Sequence, residues 1–350
     1  MTDTNELSDD VQYPLTMNFV KLTPAVFLSM TLASFSIGQG AATFEQGDRA
    51  RQAYSGIPNA EYYSTLTSQP FSWFNPFPEN FELLPNLYHG SFISPSMQRK
   101  VGYVIFLPSQ YFADDYRSFP VVYYLHGGRP GNETKSTYLA NFLHESMSSG
   151  KAQPIIYVFV NGGEISHWNY PPLASMGEDV FVKELIPHID LNYRTVDNRS
   201  GRAIQGFSQG GRGATRIAFK YPDLFSSVAA GGGAYQVEMQ IAENGGVEYD
   251  TRSDNPERLD FGLGNDAYSL AKSYVNSGGH RLSVAFWGGT KGFNYNDILE
   301  YMGYLDSLNV NYQSYFVDDV GHNSWLLYHS IGIDLLNFHI NAFEKFTEDF

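Results

Sequence analysis

In the segment Arg202–Arg216, RAIQGFSQGGRGATR, glycines crowd around a single serine, Ser208. Two kinds of loop look like this. A phosphate loop needs G-x-x-x-x-G-K-[ST], or G-x-G-x-x-G opening a helix. The segment has no Lys-Ser/Thr pair, and position 208 is serine where the second pattern needs glycine. It matches G-x-S-x-G instead, as Gly206-Phe207-Ser208-Gln209-Gly210, between a β-type run and a helical one that Pro222 closes. That is the setting of a nucleophile elbow, where the serine is forced into an unfavourable backbone conformation. Flanking glycines remove the Cβ atoms that would clash, and Gly211 and Gly213 let the new helix lie close to the sheet. The glycines thus serve the serine's backbone and not a phosphate.

A serine alkoxide is not available at neutral pH without a base. On such a turn the base is a histidine late in the chain, in the order Ser, acid, His. Of the nine histidines, His322 in VDDVGHNSW follows the last predicted strand. His144, His188 and His280 come too early, and His339 sits in the final helical pattern, pointing into packing or solvent. His322 is therefore the expected general base. The tetrahedral intermediate needs two N–H donors. One is the amide after the nucleophile, Gln209; the other comes from the loop after VVYYL, where His126-Gly127-Gly128 is placed to turn N–H groups of Gly127 and Gly128 inward. No H-E-x-x-H or His/Asp cluster accompanies His126, so no metal site is expected, and the chemistry requires no cofactor.

These residues need a scaffold. Apolar runs at 102–108, 120–127, 154–160, 202–208, 226–233, 282–289 and 312–317 alternate with helical patterns. Several are continuously apolar, as strands buried on both faces are. EDVFVKELIPHID sets Phe181, Leu185 and Ile189 on one stripe, and GIDLLNFHINAFEKF does the same with Ile333, Leu336, Ile340 and Phe343. The predicted fold is α/β: a mainly parallel central sheet with helices on both faces, its active-site loops at the carboxyl ends of the strands.

Composition bounds the partners. The 350 residues carry 37 acids against 22 bases, a formal net charge of -15, which disfavours nucleic acid and anionic lipid. The absence of cysteine excludes disulfides, thiol catalysis and thiolate metal sites. Met17 opens MNFVKLTPAVFLSMTLASFSIGQGAA, a short basic region, an apolar run over 22–37 and small residues at 40–42. This reads as a secretory signal cleaved near Ala42, with Met17 as the true start and a secreted or periplasmic product that has no membrane span after cleavage. The run is shorter than the ~20 apolar residues of a span. Residues 43–85, with prolines at 70, 76 and 78, read as an extended N-terminal arm held by its phenylalanines and Trp73, ahead of a catalytic domain over 86–350.

From about His89 onward the chain resembles the esterase family of α/β-hydrolases, the esterase D and feruloyl esterase group. The resemblance rests on SPSMQRKVGYVIFLPSQY, FPVVYYLHGG, VNGGEISHWNY, the long run KELIPHIDLNYRTVDNRSGRAIQGFSQGGRGATRIAFKYPDLFSSVAA, and VGHNSW. It implies an α/β-hydrolase fold with Ser208 as nucleophile and His322 as base. It also implies a serine esterase acting on acyl esters of sugars, aromatic acids or small thiols. The family's acid follows the penultimate strand in a G-x-x-D pattern. Here that segment is WGGTKGFNYNDILEYM, and the aspartate position falls at Gly292. Asp297, expected at the N-cap of the next helix, is the acid chosen. Asn294, Asn296, Asp318, Asp319 and Glu238 are the alternatives. Trp168, Tyr170 and Trp325 lie on loops at the catalytic edge and could stack on an aromatic or sugar group, or simply pack. The expected substrate is a small-molecule or glycan-linked ester. An acyltransferase or peptidase of the same fold, or an impaired glycan or aryl-ester binder, remain alternatives.

Overall fold

The computed structural model describes residues 57–66, 69–128, 131–250, 257–278 and 282–347. All belong to one of the two units into which the chain divides, Glu45–Phe350; the other, Met1–Phe44, which holds the expected signal, lies outside the described residues.

The apolar runs become strands because they can be buried on both sides. Numbered along the chain, the strands of the main sheet are β1 (Leu87–Ser94), β2 (Arg99–Phe106), β3 (Val121–Leu125), β4 (Ile156–Val160), β5 (Arg202–Phe207), β6 (Ser227–Gly231), β7 (Ser283–Gly289) and β8 (Gln313–Val317). They form one sheet in the order β1-β2-β4-β3-β5-β6-β7-β8. The pairings β1–β2 and β2–β4 are antiparallel, and the rest are parallel. Every residue of β3, β4, β5 and β6 is buried. Successive side chains leave a strand on opposite faces, so Val121, Tyr123 and Leu125 enter one core while Val122 and Tyr124 enter the other.

The first core is covered by a helical run over 177–192 (α3), by α4 (Gln209–Lys220), α6 (Ala267–Asn276) and α7 (Tyr295–Ser307). The second is covered by α2 (Ala140–Ser148), α8 (Ser324–Thr347) and residues ahead of β1. In α3 the stripe Phe181, Leu185, Ile189 is buried as expected, with a π-helical turn at Val180–Leu185. That wider turn comes immediately before Pro187, whose missing N–H already interrupts the helical ladder. His339 on α8 is fully buried and bonds Ser227 Oγ at 2.8 Å, a packing role. Among the described residues no helix is long and apolar enough to cross a membrane.

The stretch ahead of β1 contains a short helix the sequence does not signal, α1 (Ala60–Thr65), followed by extended chain through the prolines. Its aromatic rings are its attachment. Tyr63 is fully buried and shares a 2.8 Å hydrogen bond with Thr137, Phe77 stacks on Phe81, and Phe74 stacks on His89. A buried carboxylate fixes the middle of the stretch. Glu133 accepts from the Asn75 backbone N–H at 2.8 Å, from Asn75 Nδ2 at 2.9 Å and from Asn161 Nδ2 at 2.8 Å, with His89 Nε2 at 3.1 Å.

Candidate active site

Ser208 stands between β5 and α4 with φ 61° and ψ −120°. This is a backbone region that costs a non-glycine residue about 1–3 kcal/mol and persists only where the surroundings impose it. The surroundings do so sterically. A Cβ on Gly206 would lie 2.3 Å from the Gly210 carbonyl oxygen, and one on Gly210 would lie 2.0 Å from that of Leu125. The Ser208 N–H is tied to the Gly231 carbonyl at 2.7 Å. The turn therefore holds the serine rigidly at the carboxyl end of the sheet. It also sets it over the first turn of α4, whose N–H groups are not consumed by the helix and favour negative charge.

The loop after β3 meets it there. A Cβ on Gly127 would sit 3.0 Å from Ser208 Cβ and 3.7 Å from its Oγ. Gly128 adopts φ 75°, and its carbonyl accepts from Ser166 Oγ at 2.8 Å. His126 is the anchor of this loop. Its ring packs on that of His167 at 4.5 Å, its Nε2 accepts the Gly162 N–H at 3.1 Å, and its carbonyl accepts from His167 Nε2 at 2.9 Å. Accepting at Nε2 puts the ring proton on Nδ1. Burial, then His167 and Lys135, hold the His126 pKa well below the ordinary value, so the ring is neutral. It is thus occupied in placing the loop, and among the described residues no group of His, Asp and Glu could hold a metal ion.

His322 arrives from the turn after β8. Gly289, at the end of β7, makes this possible, because a Cβ there would lie 2.0 Å from the Val320 carbonyl oxygen. Asn323 then opens α8, its Oδ1 accepting the Leu326 N–H at 3.1 Å. The imidazole lies between Phe207 at 4.5 Å and the exposed ring of Phe293 at 4.4 Å. Burial lowers its pKa to about 4, so it is neutral at physiological pH and able to accept a proton. Ser208, His322, Gly127 and Gly128 line one cavity of about 170 Å³, with Lys135, Ser136, Tyr138, Phe207, Asn323, Ser324 and Trp325. Gln209 opens α4 beside it, its Oε1 accepting from Arg212 Nε at 3.1 Å.

The acid chosen from the sequence does not reach this constellation. The N-cap of α7 is Asn294, and Asp297 lies inside its first turn. Burial raises the Asp297 pKa, the Gln236 backbone on α5 (Tyr235–Glu243) donates to its carboxylate, and Glu300 repels it; no hydrogen bond joins it to His322. Glu238 is fully buried against Arg212 at 3.4 Å and Arg216 at 3.5 Å. Asp318 and Asp319 are exposed, the latter 3.7 Å from Lys291, and Asn294 donates to the Gly232 carbonyl. Among the described residues nothing hydrogen-bonds or pairs with the His322 ring. Position 292 itself is the near one, since a Cβ on Gly292 would be 3.9 Å from the His322 backbone nitrogen.

Two of the three expected stacking rings are corrected as well. Trp168 is buried, stacked on Phe261 at 3.9 Å and under the Arg216 guanidinium at 3.2 Å from the ring centre. Tyr170 is buried in the same small cluster, its hydroxyl donating to the Arg258 carbonyl. Both are committed to packing. Trp325 alone lines the cavity. Lys135 and Phe293 border the site without having been named from sequence. Each lies on an irregular stretch where no periodicity marks a role.

Comparison with known proteins bears on the family and the fold. Esterase MT1326 of Mycobacterium tuberculosis (strain CDC 1551 / Oshkosh) is 32% identical over 154 residues, 43% of this chain and 32% of that protein. An endo-1,4-beta-xylanase/feruloyl esterase of Xylanibacter ruminicola is 30% identical over 142 residues, 37% of this chain and 19% of that protein. The match thus spans about a third or less of these relatives' length. Among solved structures, a ferulic acid esterase superposes with a TM-score of 0.60 at 23% identity, over 73% of this chain and 98% of that one. An S-formylglutathione hydrolase from Staphylococcus aureus gives 0.54 at 18%, over 74% and 100%. At such identities the likeness shows the fold, which is that of the α/β-hydrolases. A family model described as "Putative esterase" matches residues 94–294, more than half of the chain, and the chain belongs to that family.

Proposed function

We propose that this protein hydrolyses carboxylic esters through an acyl-enzyme on Ser208. The observation that carries the reading is the strained Ser208, held at φ 61° by glycine sterics and sharing one cavity with His322 and the Gly127-Gly128 loop. His322, neutral through burial, takes the Ser208 proton as Oγ bonds to the ester carbonyl carbon. The carbonyl oxygen becomes an oxyanion, and the N–H groups of Gln209 and the Gly127-Gly128 loop are its proposed donors. Collapse expels the alcohol, which takes the proton from His322. Water then attacks the acyl-enzyme with His322 again as base, releasing the carboxylic acid and restoring Ser208.

Aryl, feruloyl or acetyl-sugar esters are the proposed substrate range. The aromatic lining by Phe207, Tyr138 and Trp325 supports it, as do relatives named as esterase and feruloyl esterase. Export through the segment 17–42 belongs to the same reading; N-terminal sequencing of the secreted protein should find Thr43 or a near neighbour first. One observation favours a second reading. With no carboxylate on His322, the site could bind esters and turn them over slowly or not at all. A fluorophosphonate probe separates the two. Labelling of the wild type that Ser208→Ala abolishes, with p-nitrophenyl acetate hydrolysis reduced at least ~10³-fold, supports the enzyme. A folded wild type that takes no label and hydrolyses nothing supports the binder.

A further inference from the structure

Among the described residues, the cavity holding Ser208 is lined by one lysine and no carboxylate. Lys135 is half-buried, and no described residue pairs with its ammonium group. A chain with 37 acids against 22 bases has carboxylates to spare, yet none is placed here. The same chain gives its other enclosed cations partners: Arg212 and Arg216 share Glu238, and Lys220 meets Glu178 at 2.7 Å. A cation removed from water without a counter-ion is costly. Burial alone pulls the Lys135 pKa down to about 8, which leaves it largely charged at neutral pH. The other cavity groups, Ser136, Tyr138, Asn323, Ser324 and Trp325, are neutral. A cation left open in a small cavity beside a nucleophile is completed when an anion arrives with the substrate.

We propose that Lys135 is a specificity residue that recognises an anionic oxygen group, such as a carboxylate, carried by the ester substrate. The inference rests on the reading of Ser208 as the nucleophile. The anion sits either on the acyl part or on the alcohol, and two substrate pairs distinguish these sources. Mono-p-nitrophenyl adipate against its methyl ester places the charge on the acyl side. The p-acetoxybenzoate anion against its methyl ester places it on the leaving alcohol.

The quantity read is the ratio of kcat/KM, anionic over neutral, within each pair. The wild type should give a ratio of roughly tenfold or more in one pair, the size expected of a charge-assisted hydrogen bond. Lys135→Met should bring that ratio close to one, and Lys135→Arg should retain most of it. Thermal melting checks that both variants are folded. A wild-type ratio near one in both pairs, or an unchanged ratio in Lys135→Met, overturns the proposal while leaving the esterase reading in place. If no ester is hydrolysed and no fluorophosphonate labels Ser208, it is the esterase reading that fails. Calorimetric binding of adipate and p-hydroxybenzoate then decides the role of Lys135. Heats lost in Lys135→Met sustain anion recognition, and heats equal in both proteins, or absent from both, refute it.

Discussion

Two buried regions flank the Ser208 turn, and they treat charge in opposite ways. Behind α4, Glu238 is enclosed by Arg212 and Arg216 and accepts the Ala267 N–H at 2.9 Å. Arg212 reaches on to Gln209, and Arg216 lies over Trp168 and donates to the His167 carbonyl at 3.2 Å. In front of α4, His322 lies between two phenylalanine rings, and among the described residues no carboxylate pairs with it. Burial pushes the Glu238 carboxyl up while both guanidinium groups pull it back; it pushes the His322 pKa down to about 4 with nothing to oppose it. The first region holds the elbow's helix in place and so positions the Gln209 N–H. The second supplies the base in its bare form. A buried charge near a nucleophile is therefore not by itself a sign of catalysis. In this molecule the carboxylate between the two arginines is structural, and among the described residues the group proposed as base has no charged partner.

Breaking the first region should have the largest effect on the fold. Glu238→Ala removes the carboxylate that two buried guanidinium groups share, leaving Arg212 with Glu248 at 3.7 Å, and removing one member of such a set typically costs about 3–5 kcal/mol. Chemical denaturation should show that loss. Whatever folded fraction survives should keep Ser208 reactive to a fluorophosphonate. If stability falls by less than about 1 kcal/mol, the network is not what holds α4.

The second region is sharpened by giving it the carboxylate it lacks. Gly292 is not at positive φ, and a Cβ there meets only the Gly289 carbonyl oxygen closely, at 3.0 Å, so a small backbone shift admits a side chain. Gly292→Asp should raise kcat roughly tenfold or more, since a triad acid is worth up to about 10⁴ in a serine protease. The pH profile supplies the mechanism. His322 must be neutral to act, so wild-type kcat/KM should stay level as pH falls from neutral and drop only near pH 4. A nearby carboxylate favours the imidazolium and raises its pKa. The acidic limb should therefore move to higher pH in Gly292→Asp. A faster variant with an unmoved limb would mean that the gain has another origin.

The smallest effect belongs to Asp297→Asn. Because the Asp297 carboxylate is held by the Gln236 backbone and makes no hydrogen bond to His322, the change should cost less than about 1 kcal/mol and leave kcat within roughly twofold. A large loss of kcat would restore Asp297 as the triad acid.

What could be read from the sequence follows physical lines. The central apolar runs, which became β3, β4, β5 and β6, were legible because they are buried on both faces, which leaves an unbroken apolar signature, whereas β8 is an edge strand with no buried residue. β1 escaped because it is an edge strand, half-exposed along most of its length and interrupted by His89, Gly90 and Ser91. α1 escaped because six residues give a helical period no room to repeat. The meeting of Ser208, His322 and the Gly127-Gly128 loop was legible because a motif and the order of strands fix the ends of the loops. The acid was not. Asp297 and Gly292 lie a helical turn and more apart, and only three dimensions show which side of α7 faces the histidine. Trp168 and Tyr170 misled for a related reason. The groups that cover them, Phe261 and Arg216, come from distant segments that no local pattern connects to them.

Glu133 bears on where this protein can be cut. The family match begins at residue 94, yet this carboxylate, enclosed by the hydrolase fold, is held by Asn75 and His89. A chain shortened to start at the match would leave Glu133 buried with Asn161 as its main remaining donor. It would also uncover the face that Tyr63 occupies. The smallest segment expected to fold by itself is thus longer than the segment the family model matches. Limited proteolysis should leave the stretch from about residue 57 attached to the hydrolase core, while a chain beginning at residue 94 should be recovered insoluble.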